Sequence, residues 1–329
     1  MNARLTALLT AVLIGPLAGG ALTAPASADP SPRTANRQQT QAEGFQQGRT
    51  AGVTLKNSSI TLSGNGLGGK SDGYRMPRPC WREPMMTAEE MHRFKVTERR
   101  QDSSLPPSER GTSGEDVRDA AAKLNEKGMW WGPAANWGDP AAEACYAGLA
   151  EPVWVPEGTT PPGGITFEQL LQLARAALTV PEPKIKLSPD ADSYVNLETW
   201  VWLEGAQATP RSVTATLPGV MSATVTATPQ GLEIKSGTTD DRAMVAKDCG
   251  PTGHPYKKGG EFRCGVRYLR ASIDQPRKVY TLTVTAVWNV TGGGTGGNAT
   301  ALTYAPIRVS ASRDVPVNEI QTIVNGGDG

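Results

Sequence analysis

The sequence predicts an α+β fold, in which a small, helical, disulfide-stapled N-terminal subdomain precedes a C-terminal antiparallel β-sandwich. Runs of alternating apolar and polar residues after residue 190 are typical of half-buried strands. Helix-start signals, by contrast, fall between residues 87 and 170. Four cysteines in a chain that begins with an export signal favour disulfides over metal ligands.

The strand predictions depend on alternation. Residues 196–203 place Trp200 and Trp202 on one face, and Leu197, Val201 and Leu203 on the other. Apolar bulk on both faces suits a strand inside a two-layer structure. Residues 223–228 and 280–288 alternate apolar side chains with threonines, whose β-branched carbons favour strands and whose hydroxyls tolerate water.

Residues 307–317 complete the predicted strands. Turns are predicted where glycine and proline interrupt these runs, at residues 204–205, 218–219, 229 and 292–297. Several short strands separated by turns predict a sandwich over residues 184–325.

The first 28 residues have the pattern of a secretory signal peptide. Arg4 precedes an apolar run over residues 5–17, and Ala-Ser-Ala at residues 26–28 predicts cleavage between Ala28 and Asp29. Removing Arg4 leaves 32 basic and 32 acidic residues, a net charge of zero. We therefore expect no steering towards nucleic acid or anionic lipid, no transmembrane span in the mature chain, and a secreted protein, extracellular or loosely associated with the envelope.

Residues 29–75 are poor in apolar side chains and are predicted to be a flexible, glycine-rich and polar lead-in with a short hairpin near residues 53–62. This segment contains a match to the P-loop pattern that includes Gly64, Gly69, Lys70 and Ser71. A P-loop joins a buried strand to a helix, whose N-terminus binds phosphate. The prolines at residues 77 and 79 prevent a helix here, so we interpret the match as spurious, with nucleotide binding a distant third function.

Residues 76–164 are predicted to form the Trp-rich helical or irregular subdomain and a linker. Thr87 with Glu90 predicts a helix to about residue 99, and Ser113 with Asp116 predicts another over residues 117–127, stopped by Gly128. Trp130, Trp131 and Trp137 favour core packing, although they also suit an aromatic surface for sugar rings.

An amphipathic helix is predicted over residues 165–183. Thr166 and Gln169 form its capping box, and apolar residues then recur at helical spacing until the prolines at 181 and 183. Packing against a neighbouring core is the expected role of this helix.

Five segments carry a resemblance. They are Pro-Cys-Trp-Arg-Glu-Pro at 79–84, Lys-Gly-Met-Trp-Trp at 127–131, Val-Trp-Val-Pro at 153–156, Thr-Trp-Val-Trp-Leu at 199–203 and Cys-Gly-Val-Arg-Tyr-Leu-Arg-Ala at 264–271. Over residues 76–325 the chain resembles a group of secreted actinobacterial proteins of undefined function. The C-terminal half is more distantly similar to PKD-type, immunoglobulin-like sandwiches. It lacks their usual Trp-x-Phe-Gly-Asp-Gly turn, having residues 232–238 instead, so this likeness implies a fold and no activity.

The four cysteines allow three connectivities in an exported protein. Closeness in sequence favours Cys249 with Cys264 across a loop rich in glycine and proline, which leaves Cys80 to pair with Cys145. Closing a span of 15 residues stabilises the fold by roughly 3 kcal/mol in the chain-entropy model. Zinc is disfavoured, because the chain has only two histidines, His92 and His254, and no Cys-x-x-Cys spacing.

A search for catalytic motifs gives no catalytic residue, metal site or cofactor. Neither a nucleophile elbow nor a His-Glu-x-x-His motif occurs, His254 has no second ligand at a useful spacing, and Glu89 with Glu90 suits a helix start. The preferred function is therefore a non-catalytic envelope or extracellular protein whose sandwich presents loops to an envelope protein or a glycan. The alternative is an extracellular carbohydrate-active or hydrolytic protein that uses the Trp-rich segment.

Overall fold

The computed structural model describes residues 44–47, 50–54, 58–68, 78–149, 151–205, 208–296 and 301–320. All of them belong to a compact unit formed by residues 40–329. The predicted cleavage site at Ala28 and Asp29 lies outside the described residues.

The described residues are mostly β-strand. The strands are β1 (Gly44–Gln47), β2 (Thr50–Thr54), β3 (Thr61–Ser63), β4 (Cys80–Met86), β5 (Gly128–Ala135), β6 (Val153–Pro156), β7 (Ile185–Ser188), β8 (Ser193–Tyr194), β9 (Glu198–Leu203), β10 (Arg211–Leu217), β11 (Met221–Lys235), β12 (Ala243–Lys247), β13 (Cys264–Tyr268), β14 (Tyr280–Thr295), β15 (Leu302–Val315) and β16 (Val317–Asn318). The α-helices are α1 (Ala88–Asp102), α2 (Gly114–Ala122), α3 (Ala142–Ala147) and α4 (Phe167–Ala177).

A seven-stranded antiparallel sheet, ordered β1-β2-β3-β10-β11-β14-β15, forms the centre of the structure. A four-stranded antiparallel sheet follows the order β12-β13-β9-β7, and β4, β5 and β6 form a third sheet. A short parallel pair joins β8 to β16.

The two faces of the large sheet differ, as alternation predicts. Val213, Ala223 and Val225 on the inner face are completely buried, and Tyr280, Leu282 and the following alternate residues of β14 are buried as well. Threonines and serines occupy the opposite face and are half-buried or exposed. The inner face therefore supplies the main core.

Two different elements cover this inner face. Helix α4 packs on β10 and β11, and the inner positions of β14 beneath it are Gly292 and Gly294. A Cβ at Gly294 would come within 2.7 Å of the Phe167 ring, so glycine lets the helix approach closely. The other half of the face shares its core with the four-stranded sheet, where the rings of Tyr268 and Tyr280 stack 4.8 Å apart.

Paired bulges separate these two halves. The register shifts between Pro229 and Gly231 in β11 and between Trp288 and Val290 in β14, and Pro229 lies opposite Trp288. A bulge bends a strand without ending it, so both long strands serve both halves of the core. The turn predicted at residue 229 is therefore wrong, since β11 continues to Lys235. The turn predicted at residues 292–297 begins too early, because β14 continues to Thr295 before its connection to β15.

The region 76–164 is built differently from the helical subdomain predicted for it. Its centre is the sheet of β4, β5 and β6, with α1, α2 and α3 around it, so a helical subdomain is not what forms. Helix α2 ends at Ala122, and Gly128 begins β5 instead of stopping the helix. A Cβ at Gly128 would lie 2.4 Å from the Val155 carbonyl oxygen, so close strand packing explains this glycine.

The three predicted capping boxes are confirmed. The side chains of Thr87, Ser113 and Thr166 each accept a hydrogen bond from the backbone three residues later, and the side chain at that position accepts one in return. Each box satisfies otherwise unpaired amides of a helix start.

The short hairpin predicted near residues 53–62 is present, because β2 and β3 pair antiparallel, but the described part of the predicted lead-in also belongs to the large sheet. Strands β1, β2 and β3 extend the large sheet, Val53 pairs with Leu62, and Ile60 and Leu62 are completely buried in the core. The low apolar content of this segment did not indicate a core strand, because burial of only Ile60 and Leu62 is enough to hold so short a strand against the sheet. The buried Glu83 carboxylate anchors the same segment, accepting hydrogen bonds from Ser58, the Ser59 amide and the Trp81 indole.

Candidate recognition site at the clamped loop

The connection between β12 and β13 forms a loop, residues 248–263, that we call the clamped loop. A disulfide joins Cys249 to Cys264 across its base, with the Cα atoms 4.6 Å apart. Both cysteines are buried. The other disulfide joins Cys80 in β4 to Cys145 in α3, so the structure contains the pairing that sequence closeness favoured.

The clamped loop folds back along β9. The Leu203 amide donates to the Thr252 carbonyl at 2.8 Å, and the His254 amide donates to the Val201 carbonyl at 3.3 Å. Gly253, which pairs with Trp202, has a φ of +76°, and a Cβ there would lie 2.5 Å from the Trp202 Cα. Glycine is therefore required for this close approach.

An aromatic cluster holds the outer part of the loop. Trp200 is buried, and its ring lies 5.6 Å from that of Tyr256 and 5.7 Å from that of Phe262, in edge-on arrangements. Tyr256 nevertheless keeps 54% of its surface exposed. The result is an aromatic side chain presented to solvent from a base that is fixed by packing and by the disulfide.

The loop carries an excess of positive charge. Arg263 pairs with Glu261 at 2.7 Å and lies 3.9 Å from Asp248, so its charge is balanced locally. The hydrogen bond to Glu261 raises the pKa of Arg263 above its ordinary value. Lys257 and Lys258 are exposed and form no ion pair within the described residues.

Two cavities adjoin the loop. An open groove of about 530 Å³ runs below it, lined by Trp202 and Pro255 and edged by Lys186, Asp190 and Glu204. A second cavity of about 420 Å³ lies where the paired bulges meet the small sheet. Its walls include Trp288 and four prolines, which are Pro181, Pro183, Pro229 and Pro251. Four charged side chains also line it, namely Glu182, Lys184, Glu204 and Arg211. Apolar walls with a polar edge suit a small apolar group or side chain.

Of Trp130, Trp131 and Trp137, Trp131 packs in the core as the sequence favoured, and the three do not share the aromatic surface considered as the alternative. Strand β5 points Trp130 and Trp131 to opposite faces, and Trp131 is only 1% exposed within the main core. Trp130 packs against Trp154, whereas Trp137 is half exposed and packs against Tyr146. These three side chains therefore cannot together stack on one ligand.

The other sequence candidates also lie apart. His254 is half-buried in the clamped loop, and the described residues contain no group of three His, Cys, Asp or Glu side chains that could hold a metal. Glu90 caps the start of α1 together with Thr87.

Of the P-loop match, Gly64 to Gly68 are described, and Gly69, Lys70 and Ser71 lie outside the described residues. The Gly66 amide donates to the Ser212 carbonyl at 2.9 Å, and its carbonyl accepts from the Thr179 amide at 2.8 Å. These bonds join the segment to β10 and to the end of α4.

Comparison with known proteins returned no matching family model, no matching curated protein and no matching solved structure. Among the described residues, no helix is both long and apolar enough to cross a membrane. Tyr256, Trp202 and the residues around Trp288 are site residues that sequence reasoning did not single out. The run Pro-Tyr-Lys-Lys at residues 255–258, inside a loop rich in glycine and proline, was the available signal for Tyr256.

Proposed function

We propose that this protein is a secreted, non-catalytic protein of the cell envelope or extracellular space that recognises a protein partner through the clamped loop. One observation carries the proposal: Tyr256 is exposed on a base fixed by Trp200, Phe262 and the Cys249–Cys264 disulfide. A rigid, exposed tyrosine contributes strongly to binding because little conformational freedom is lost when it is buried.

The charges of the loop indicate the chemistry of the partner. Lys257 and Lys258 flank Tyr256 in sequence and form no ion pair within the described part of the chain. A partner with an acidic surface around an apolar pocket would complement them, and its association rate would fall as salt is added.

The architecture agrees with a recognition role. We propose that the seven-stranded and four-stranded sheets together constitute a PKD-like, immunoglobulin-like sandwich, and that the chain belongs with the secreted actinobacterial group it resembles. Residues of both sheets share one core, which supports the sandwich. Such sandwiches commonly present loops at their ends for recognition.

Export is also a proposal. The pattern of residues 1–28 supports it, and so do the two disulfides, because disulfides persist mainly in oxidising compartments. The alternative of a carbohydrate-active or hydrolytic protein has less support, because Trp131 is buried in the core and Trp130 and Trp137 pack against different partners.

Capture from the cell-surface fraction tests the proposed recognition. Mature protein from Asp29 onward is immobilised and compared with Tyr256→Ala and with Tyr194→Ala, a matched control at another exposed tyrosine. We expect a saturable protein partner whose affinity falls by about 2 kcal/mol in Tyr256→Ala and is unchanged in Tyr194→Ala.

Two further results decide the matter. Lys257→Glu with Lys258→Glu should slow association and reduce its salt dependence. Equal capture by the wild type and by a folded Tyr256→Ala variant would refute the proposal, as would the absence of any saturable partner.

A further inference from the structure

Strand β15 forms one edge of the seven-stranded sheet. It pairs with β14 on one side, and no strand among the described residues pairs with its other side. From Ile307 to Val315 it pairs with consecutive residues of β14 without a register shift. An edge of this length presents a row of backbone amides and carbonyls that can pair with another strand.

Prolines mark both ends of this straight segment. Pro306 lies beside the bulge of β14, and Pro316 follows Val315. Proline has no amide hydrogen to donate to a neighbouring strand, so an added strand would pair with the residues between the two prolines. Ala311 lies midway between them.

The segment is complementary to itself when a second copy pairs antiparallel about Ala311. On the outer face, this register places Arg308 opposite Asp314 of the second copy. It also places Ser310 opposite Ser312 of the second copy. Because the pairing is two-fold symmetric, each of these pairs occurs twice. Opposite charges at facing positions of antiparallel strands stabilise the pairing.

The inner face of the segment has apolar surface left to bury. Ile307, Val309 and Ala311 are half-buried, and Ile307 packs against the main core. In the same register Ile307 lies opposite Val315 of the second copy, and Val309 lies opposite its Arg313. The aliphatic part of an arginine packs well on apolar neighbours, so both faces of the strand fit this register.

Charged residues commonly protect sheet edges against pairing, so their positions decide what this edge accepts. Within one chain, Arg308 pairs with Glu233 and Asp314 pairs with Arg277, and all four side chains remain partly exposed. Like charges at mirror-related positions would exclude a second copy. Here the mirror-related positions carry opposite charges, which favours a second copy of this chain over an unrelated strand.

We propose that the protein forms a two-fold symmetric homodimer by antiparallel pairing of β15 about Ala311. The paired segments, residues 307–315, span about 30 Å and form roughly eight to ten interchain hydrogen bonds. The same patch of both copies makes the interface, and the two large sheets become one continuous sheet. The clamped loop belongs to the other sheet, between β12 and β13, so the dimer carries two such loops.

Sedimentation velocity of the mature full chain, combined with charge reversal, tests this register. In a dimer, Arg308→Asp brings acidic side chains opposite each other twice, and Asp314→Arg does the same with basic ones. Each reversal should weaken dimerisation at least about tenfold. The matched control, Lys235→Asp, changes the net charge as much as Arg308→Asp at an exposed position of the same face, two strands from the edge. It should dimerise like the wild type.

Mixing the two reversed chains gives the most specific result. A heterodimer of Arg308→Asp with Asp314→Arg has opposite charges at both pairs of facing positions, so the mixture should regain dimers that neither variant forms alone. Both side chains are exposed, so the reversals should leave the fold intact, and thermal unfolding verifies this.

Three results would overturn the proposal. They are a wild type that stays monomeric from nanomolar concentration to the solubility limit, a dimer that neither reversal weakens, and a mixture that stays monomeric. Tyr256→Ala should dimerise like the wild type, so failure of the dimer and failure of partner recognition are distinguishable.

Discussion

The two faces of β11 allow a comparison of nearly isosteric substitutions at adjacent residues. Val225 is 0% exposed on the inner face of the sheet, whereas Thr226 is half-buried on the outer face. Val225→Thr places a hydroxyl among apolar neighbours such as Val213, where no acceptor is at hand. Burying an unpaired hydroxyl costs about 1–3 kcal/mol. Thr226→Val changes a solvent-facing group and should alter the free energy of unfolding by less than about 0.5 kcal/mol.

Chemical denaturation of both variants with disulfides intact measures this difference directly. For the unit formed by residues 40–329, a loss of about 2 kcal/mol corresponds to a decrease in Tm of about 3 °C. Equal destabilisation by the two substitutions would refute the assignment of inner and outer faces. A larger effect from Thr226→Val would refute it more strongly, because it would place that threonine in a core.

Three further predictions concern local structure. Glu83→Ala leaves the Trp81 indole and the Ser59 amide without their acceptor, so it should lower the free energy of unfolding in urea by about 2–4 kcal/mol. The control, Glu89→Ala at an exposed position, should lower it by less than about 0.5 kcal/mol. Equal effects of the two substitutions would contradict an anchoring role for Glu83. Cys249→Ser with Cys264→Ser should lower the free energy of unfolding by roughly 3 kcal/mol, and an unchanged denaturation midpoint would contradict the clamp. The hydrogen bond from the Ser113 side chain, followed by its backbone amide, lowers the pKa of Asp116, so its stabilising effect is present above the unfolded pKa near 3.8 and is lost as the pH falls through the folded value. The stability difference between the wild type and Asp116→Ala should therefore shrink on acidification below about pH 4, and a difference that grew in acid would have the wrong sign.

Local signals in the sequence predicted a large part of the fold. Capping boxes gave the starts of α1, α2 and α4 because they depend only on residues three positions apart. Alternation gave the inner face of β14, from Tyr280 to Trp288, for the same reason. Features that depend on a neighbour distant in sequence were missed.

The missed features have identifiable physical causes. Gly292 and Gly294 were interpreted as turn residues, yet they lie within β14 because helix α4 needs room above them. Pro229 was interpreted as a strand end, yet a bulge accommodates it. Trp131 lies in the core because β5 pairs with β4, and the residues of β5 alone do not show which strand they pair with.

The candidate site was predicted only in outline. Sequence closeness gave the Cys249–Cys264 disulfide, but the exposure of Tyr256 depends on how the loop lies along β9. The cavity beside Trp288 likewise depends on the register of β11 with β14, which alternation within single strands does not determine.

The continuity of β11 and β14 through their paired bulges has a consequence for cooperativity. Helix α4 and the four-stranded sheet each cover a different half of these strands, so neither half of the core has a separate backbone scaffold. If one half of the core opens, β11 and β14 lose interstrand hydrogen bonds there, and the same two strands also form the other half. Local opening at either end is thereby coupled to the other, and amide hydrogens on both sides of the bulges should exchange as members of one unfolding unit.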